Sequence, residues 1–318
     1  GRVALAQGAA VRFIAASDRL FGGLAKHGGQ PRWSLGLVFL TLAMLFAAVI
    51  LWNQVFQGHD GKLHIYFFDV GQGDSILIVT PKGKQVLVDG GPDLTSATRA
   101  LVGPMSPIDR SLDVVVMTHV DGDHSKGLLE VLDRYDVATV VVGETPLDND
   151  LSQEWRAKLN RKEIDPVKVS EGYRLEVEPG VTLEVLNPPG VPFNGSGSDR
   201  NNNAVVLRLI YGQVSFMLAS DIEAFAEGYL VRSSAELEST VLKAAHHGSR
   251  TSSTAGFLNQ VNPTLAVISS GPGNQFGHPH VEVTERLERF LGPEGLFRTD
   301  RHGTIEFISD GVDLWVRT

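Results

Sequence analysis

The chain contains no cysteine, which excludes disulfides, thiolate metal sites and cysteine nucleophiles and leaves His, Asp and Glu to carry any metal. An extracytoplasmic location stays open, because such proteins need no disulfide. Positive charge is also scarce, with 28 basic against 37 acidic side chains. Five of the basic residues and one acid fall within the first 52 positions, so the remainder carries a formal charge of −13. That balance argues against wrapping nucleic acid on a broad basic surface. It permits a nucleic-acid substrate at a small metal site, where the ion supplies the positive charge. No repeat of 20 to 50 residues is present. With 318 residues and 42% hydrophobic content, the chain is long and apolar enough for one large domain or two ordinary ones, which excludes a disordered or fibrous protein.

What is there begins with an apolar run, Leu35 to Trp52, that holds no charged residue. At about 1.5 Å per helical residue it nearly reaches the ~30 Å of a bilayer core and reads as a transmembrane helix. A signal peptide has a shorter apolar region and leader, and a buried core helix is rarely apolar all round. Arg2, Arg12, Arg19, Lys26 and Arg32 precede the run with only Asp18 as an acid, so the positive-inside rule places the amino end in the cytoplasm. The expected organisation is a cytoplasmic-side segment over 1–33, the membrane helix over 34–52, a linker over 53–60 and one folded domain over 61–318, outside the cytoplasm.

The densest chemistry lies in Thr118-His119-Val120-Asp121-Gly122-Asp123-His124. Four side chains with metal-ligand chemistry occupy six positions, between a β-rich run (Asp113 to Thr118) and a helical one (Ser125 to Arg134). A strand-to-helix loop lets imidazoles and carboxylates converge while its flanks hold the backbone still. Neutral imidazole and carboxylate suit Zn²⁺, and an acid-rich set also suits Mn²⁺. The alternative is a helix cap at Asp121 or Asp123 beside two solvated histidines. Acids and imidazoles this crowded favour a shared cation.

Three further places offer ligands at element ends. The run Val214 to Ser220 ends in Asp221, Thr240 to Ala245 ends in His246-His247-Gly-Ser249, and His278 lies in a loop before a helix. Asp221 by itself also fits a helix cap; as a ligand, a strand-end carboxylate can bridge two cations. Alternation along a strand lets one histidine of the pair face the site, and His246 is the expected one. The pattern also predicts strands at Leu63–Val70, Ser75–Thr80, Gln85–Val88, Ala138–Val142, Thr182–Leu186, Ala204–Ile210, Leu265–Ser269 and Thr304–Ile308. Helices are predicted at Leu151–Asn160, Ile222–Val231, Thr254–Val261 and Val281–Leu291. Residues 187–203, rich in Pro, Gly, Ser and Asn, read as a long surface loop.

The ordered set Phe68-Asp-Val-Gly-Gln-Gly-Asp-Ser75, Leu87-Val-Asp-Gly-Gly91, His119 to His124, Ser220-Asp-Ile-Glu223, His246-His-Gly-Ser249, Ser269-Ser-Gly271 with His278-Pro279, and Arg298-Thr-Asp resembles the metallo-β-lactamase superfamily, and within it the ComEC type of DNA-uptake protein. The resemblance implies an α/β fold, a four-layer αβ/βα sandwich with the metal site at one edge of two sheets. It implies two divalent ions, Zn or Mn: one on His119, Asp121 and His246, the other on Asp123 and His124, with Asp221 bridging. His247 is the alternative to His246, and Asp74, Asn203 and His278 are further candidates for the metal or substrate. Asp74 reads as a turn residue hydrogen-bonded near the ligands, and Asp89 as supporting them.

This chain has Asp121 where the lactamases generally carry a second His, no His between His124 and His246, Ser220 where Gly is usual, and Ala204 where Ser is common. The implied function is a membrane-tethered, metal-dependent phosphodiesterase, with Asp123 and Asp221 catalytic. Its expected substrate is DNA, as a single strand, degraded as the non-transported strand during natural transformation alongside other competence proteins. The resemblance also implies that the chain corresponds to the carboxyl-terminal part of a longer protein with membrane segments upstream. The rival readings are another hydrolase of the same fold, acting on a phosphoester or a lactam, and a non-catalytic scaffold of a DNA-uptake channel.

Overall fold

The structure, a computed structural model, describes residues 33–56, 60–143 and 149–318. Two compact units divide the chain at residue 57. In the first, α1 spans Trp33–Phe56, with side chains described for residues 36–50, so helix continues four residues past Trp52 into the expected linker. Those fifteen residues rise roughly 22 Å, and among the described residues no helix is long and apolar enough to cross a membrane. The expected segment 1–33, apart from the backbone of Trp33, and residues 57–59 of the expected linker lie outside the described residues.

The second unit runs in the order β1 Leu63–Phe67, β2 Ile76–Val79, β3 Gln85–Val88, α2 Ser96–Ala100, β4 Ser111–Met117, α3 Gly122–Arg134, β5 Asp136–Gly143, α4 Asp150–Arg161, β6 Val167–Val169, β7 Arg174–Glu178 and β8 Val181–Asn187. It continues with α5 Asp199–Asn202, β9 Val206–Tyr211, β10 Val214–Leu218, α6 Ala224–Arg232, β11 Val241–Lys243, a 3₁₀ turn Ala245–Gly248, α7 Ala255–Val261 and β12 Leu265–Ile268. The last elements are α8 Val281–Leu291, a 3₁₀ turn Pro293–Gly295, β13 Leu296–Arg298, α9 Thr299–His302, β14 Ile305–Ser309 and β15 Leu314–Arg317.

Strand alternation builds the layers. In β4, Val114 and Val116 face the other sheet while Val115 and Met117 face helices; in β10, Phe216 and Leu218 face inward and Met217 outward. One sheet has the order β15-β14-β1-β2-β3-β4-β5-β6 and the other β13-β12-β11-β10-β9-β8-β7. A central core fills the space between them, with Phe307 edge-on to Phe67 and Phe216. A second core packs Leu128, Leu132, Trp155 and Leu159 of α3 and α4 on the first sheet. A third packs Leu230, Phe257 and Leu287 of α6, α7 and α8 on the second. The result is the four-layer sandwich that the motifs imply.

The pair β3–β4 in one sheet and β10–β11 in the other run parallel, and their carboxyl ends meet at one edge. Strand ends at such an edge carry ligand-binding loops, because the polar backbone there is free of the ladder. Contact at one point is unusually close. A Cβ on Gly127 would lie 1.8 Å from the Gly90 carbonyl oxygen, so α3 rests directly on the loop after β3. That approach delivers His124 to the loop, with Gly90 N donating to the His124 carbonyl at 2.6 Å.

Residues 187–203 are less of a surface loop than their composition predicts. Asn187, Asn201, Asn202 and Asn203 are buried, and their amides tie the segment to itself and to α6. Short strands β6, β7, β13 and β15, absent from the sequence reading, lie at or next to the sheet edges.

Candidate metal centre

Four groups converge at the edge where β4, β10 and β11 end. The ligand atoms of Asp123, His124, Asp221 and His247 all lie within 4.8 Å of one another. His124 Nε2 is 3.2 Å from His247 Nε2 and 3.3 Å from Asp221 Oδ1; His247 Nε2 is 3.3 Å from Asp221 Oδ2 and 3.5 Å from Asp123 Oδ2. Supporting groups turn these nitrogens toward the shared point. Asp89 accepts from His124 Nδ1 at 2.7 Å, and the Ser269 carbonyl accepts from His247 Nδ1 at 3.0 Å. Orientation of an imidazole through its second nitrogen is the usual partner of metal ligation through the first. Asp89 is itself held by Thr118, which donates from N at 2.8 Å and from Oγ1 at 2.7 Å.

Backbone geometry explains why His247 and not His246 reaches the centre. β11 ends at Lys243, and both histidines sit in a left-handed turn, φ 50° and 53°. Strand alternation therefore does not apply to them. His246 turns toward the rim, with Nδ1 3.5 Å from Glu223 Oε1 and Nε2 3.8 Å from Asp221 Oδ2. Asp89 and Ser220 also have positive φ, 58° and 49°, so four non-glycine residues at three strand ends adopt a conformation that costs about 1 kcal/mol or more each. Glycine would adopt it freely at position 220. Here the Ser220 hydroxyl instead donates to Thr118 Oγ1 at 2.8 Å.

The other predicted residues are placed as follows. His119 is buried beside His124, ring centres 4.2 Å apart, and its Nε2 has no hydrogen-bond partner. Asp121 is the N-terminal flanking residue of α3 but makes no side-chain cap; one carboxylate oxygen accepts from Arg200 at 2.6 Å, and the other lies 3.7 Å from His119 Nε2. Asp221 does not cap α6, whose flanking residue is Glu223. Asp74 lies beneath the rings, 3.8 Å from His124 Nδ1 and 3.7 Å from His247 Nδ1. His278 is on the rim, with ring centres 5.5 Å from His246 and 6.4 Å from His247. Asn203 does not face the site. Its amide is spent on Phe193 N, the Phe193 carbonyl and the Asp199 carbonyl. Sequence reasoning missed Lys243, fully buried under Asp221, and Arg200 on Asp121.

Charge within the cluster is sharply sorted. Burial opposes the charged form of His124, yet Asp221 and Asp89 outweigh it and hold its pKa well above the ordinary value. Burial likewise opposes charge on His247, but Asp221 and Asp123 push it up to about 9. Asp221 is driven well below the usual carboxylate range, against burial, by His124 and His247. His119 is lowered by burial and by His124, and His278 is brought down to about 4 by burial and its neighbouring imidazoles. Without metal the neighbouring aspartates thus favour a proton on His124 and on His247, while burial disfavours one on His119.

A pH dependence follows, because an imidazole must lose its proton to ligate. The His247 pKa is raised, so its pairing stabilises the metal-free fold fully below the unfolded value near 6.5 and ceases to as pH rises through about 9. Over the same window metal affinity should climb, by up to about tenfold per pH unit for each proton displaced. Titration calorimetry in buffers of different ionisation enthalpy is expected to show proton release; pH-independent binding would contradict this ionisation state.

The donor set fits a divalent cation. Two imidazoles and two carboxylates converge, and the buried His119 Nε2 and Asp221 Oδ1 are without hydrogen-bond partners. Residues 68–271 match the metallo-beta-lactamase superfamily, and the chain belongs to it. It therefore has the fold of metal-dependent hydrolases, a fold that binds divalent metals.

Its curated relatives include ComE operon protein 3, Recombination protein 2 and competence protein ComA, proteins of the ComEC type. ComE operon protein 3 of Bacillus subtilis is 26% identical over 255 residues, covering 75% of this chain and 32% of the relative. Recombination protein 2 of Haemophilus influenzae is 29% identical over 286 residues, covering 89% of this chain and 33% of the relative. The chain spans about one third of the length of these relatives. CmlA, a diiron β-hydroxylase from Streptomyces venezuelae, shares the fold with a TM-score of 0.50 at 16% identity, covering 76% of this chain and 53% of that one.

Proposed function

We propose that the chain is a membrane-tethered, metal-dependent phosphodiesterase that cuts DNA, with single-stranded DNA as its substrate during uptake. The observation that carries the reading is the convergence of Asp123, His124, Asp221 and His247 on one point, with Asp221 Oδ1 making no hydrogen bond. These four would hold one divalent ion, zinc or manganese, and His119 and Asp121 offer donors toward a second. When bound, the metal supplies positive charge to phosphoryl oxygens and acidifies water. The remaining work falls to the side chains. Asp221 can accept a hydrogen bond from attacking water and orient it. Asp89 and the Ser269 carbonyl keep both rings aimed while charge shifts. Neutral His119 can approach a phosphodiester without adding charge repulsion to the ion.

DNA uptake as the setting is supported by relatives whose names tie them to competence and recombination. Degradation of the non-transported strand, next to other competence proteins, is the corresponding role. The acidic surface is consistent with DNA held at the ion and not along a basic groove. Membrane attachment is supported by α1, whose 24 residues would extend about 36 Å. Its described side chains, Phe39 and Phe46 among them, are exposed, and an all-round apolar helix needs an apolar surrounding. The basic residues of the leader support an orientation with the hydrolase unit outside the cytoplasm.

The test uses the full chain in detergent, metal-stripped and then loaded with Mn²⁺ or Zn²⁺, against a labelled single-stranded oligonucleotide. Cleavage is expected under at least one metal and falls at least about 10²-fold in Asp123→Ala. No cleavage under either metal, or cleavage unchanged by the substitution, overturns the reading. Turnover of a lactam or a lipid phosphoester instead would point to the rival hydrolase.

A further inference from the structure

Lys243 is a fully buried cation that none of the motifs accounts for. It ends β11 on the face it shares with Val241, which packs between the sheets, and is only 1% exposed. Its ammonium lies against a carboxylate oxygen of Asp74, donates to the Ser220 carbonyl at 2.9 Å, and stands 3.7 Å from Asp221 Oδ1. Asp74 comes from the loop between β1 and β2, whereas Ser220, Asp221 and Lys243 come from the other sheet. The ion pair therefore crosses between the sheets directly beneath His124 and His247. A buried ammonium needs paired charge, and Asp74 and Asp221 supply it.

An ammonium has three donors and no acceptor, so it can take carboxylate oxygens from a metal but never ligate one. Lys243 stands where its charge opposes every further cation on Asp221. The opposite side of the centre is depleted too. Arg200 takes one oxygen of Asp121, no imidazole follows His124 before His246, and neither His119 nor Asp121 belongs to the convergent group.

Resting on the reading that Asp123, His124, Asp221 and His247 hold a divalent ion, we propose that Lys243 is a built-in second cation of the centre. Seated on Asp74 and behind Asp221, it takes the place in the charge balance that a second metal fills in dinuclear sites, so the chain holds one ion firmly. Lys243 is a positioning residue, acting through the two carboxylates.

Metal stoichiometry and affinity of the full chain in detergent decide the matter, by calorimetric titration with Mn²⁺ or Zn²⁺ and metal analysis after desalting. Wild type is expected to retain one equivalent. Lys243→Met is expected to bind the first ion on the order of tenfold more tightly, to take up a second, and to melt at lower temperature when metal-free. Lys243→Arg, which keeps the charge, should stay near wild type in affinity and stoichiometry. A lysine with a merely structural role would lower the melting temperature and leave affinity and stoichiometry unmoved. Two equally retained equivalents in wild type overturn the inference without needing any variant to fold, as does an unchanged titration in Lys243→Met. Wild type that retains no metal at all overturns the metal-centre reading itself, and the inference with it.

Discussion

Replacing His247 by alanine is expected to strip the centre of its metal and reduce hydrolysis by at least about 10²-fold, whereas replacing the adjacent His246 should leave metal content within a few-fold of wild type. The contrast follows from where the two rings stand. His247 is 1% exposed and meets His124, Asp123 and Asp221 at 3.2–3.5 Å, with its other nitrogen fixed on the Ser269 carbonyl. His246 is 22% exposed and comes no closer to Asp221 than 3.8 Å. Metal analysis of the two purified variants reads the difference directly. Equal loss from both, or loss from His246→Ala alone, would reverse the assignment.

The second large effect is structural. In the metal-free protein Asp221 is the counter-charge of His124 and His247 and lies next to the Lys243 ammonium, all inside the fold. Asp221→Asn leaves those cations without it. Breaking a buried ion pair by removing one partner costs about 3–5 kcal/mol. For a unit of this size each kcal/mol moves Tm by about 2–4 °C, so a fall of roughly 6–20 °C is expected in the metal-free state. Metal should then fail to restore the loss, because the same substitution removes a ligand. Melting curves with and without added Mn²⁺ check both halves. A variant as stable as wild type in chelator would mean that the rings are neutral and the cluster is not an ion-pair network.

The sandwich was legible because its central strands are short runs of apolar, mostly β-branched residues and its longer helices carry regular apolar spacing. Val281–Leu291 begins and ends where the sequence predicts, and β3 does the same. The short strands β6, β7, β13 and β15 were not legible. Three to five residues give too few alternations to distinguish a strand from a loop, and only a neighbour in the sheet makes them strands. The candidate ligands were legible from their crowding and from their places at the ends of apolar runs. His119, Asp121, Asp123 and His124 stand out as a crowd of like chemistry, and Asp221 and His246-His247 close apolar runs. Lys243 left a fainter signal, a lone charge in Val241-Leu-Lys-Ala-Ala245 at a position whose alternation faces the core.

The sequence by itself determined the class of chemistry and the edge of the fold that carries it. Without cysteine, any metal must be held by His, Asp and Glu, and motif spacing puts those residues at strand ends. Tertiary structure decided which of them meet. His247 displaces His246 because the strand ends at Lys243 and two left-handed residues follow, reversing the face that alternation predicts. Asp121 turns to Arg200, Asn203 turns into its own loop, and a lysine from one sheet reaches an aspartate of the other. Periodicity describes one element at a time; which charges share a cavity depends on two sheets closing on each other, and that is set by packing across the whole domain.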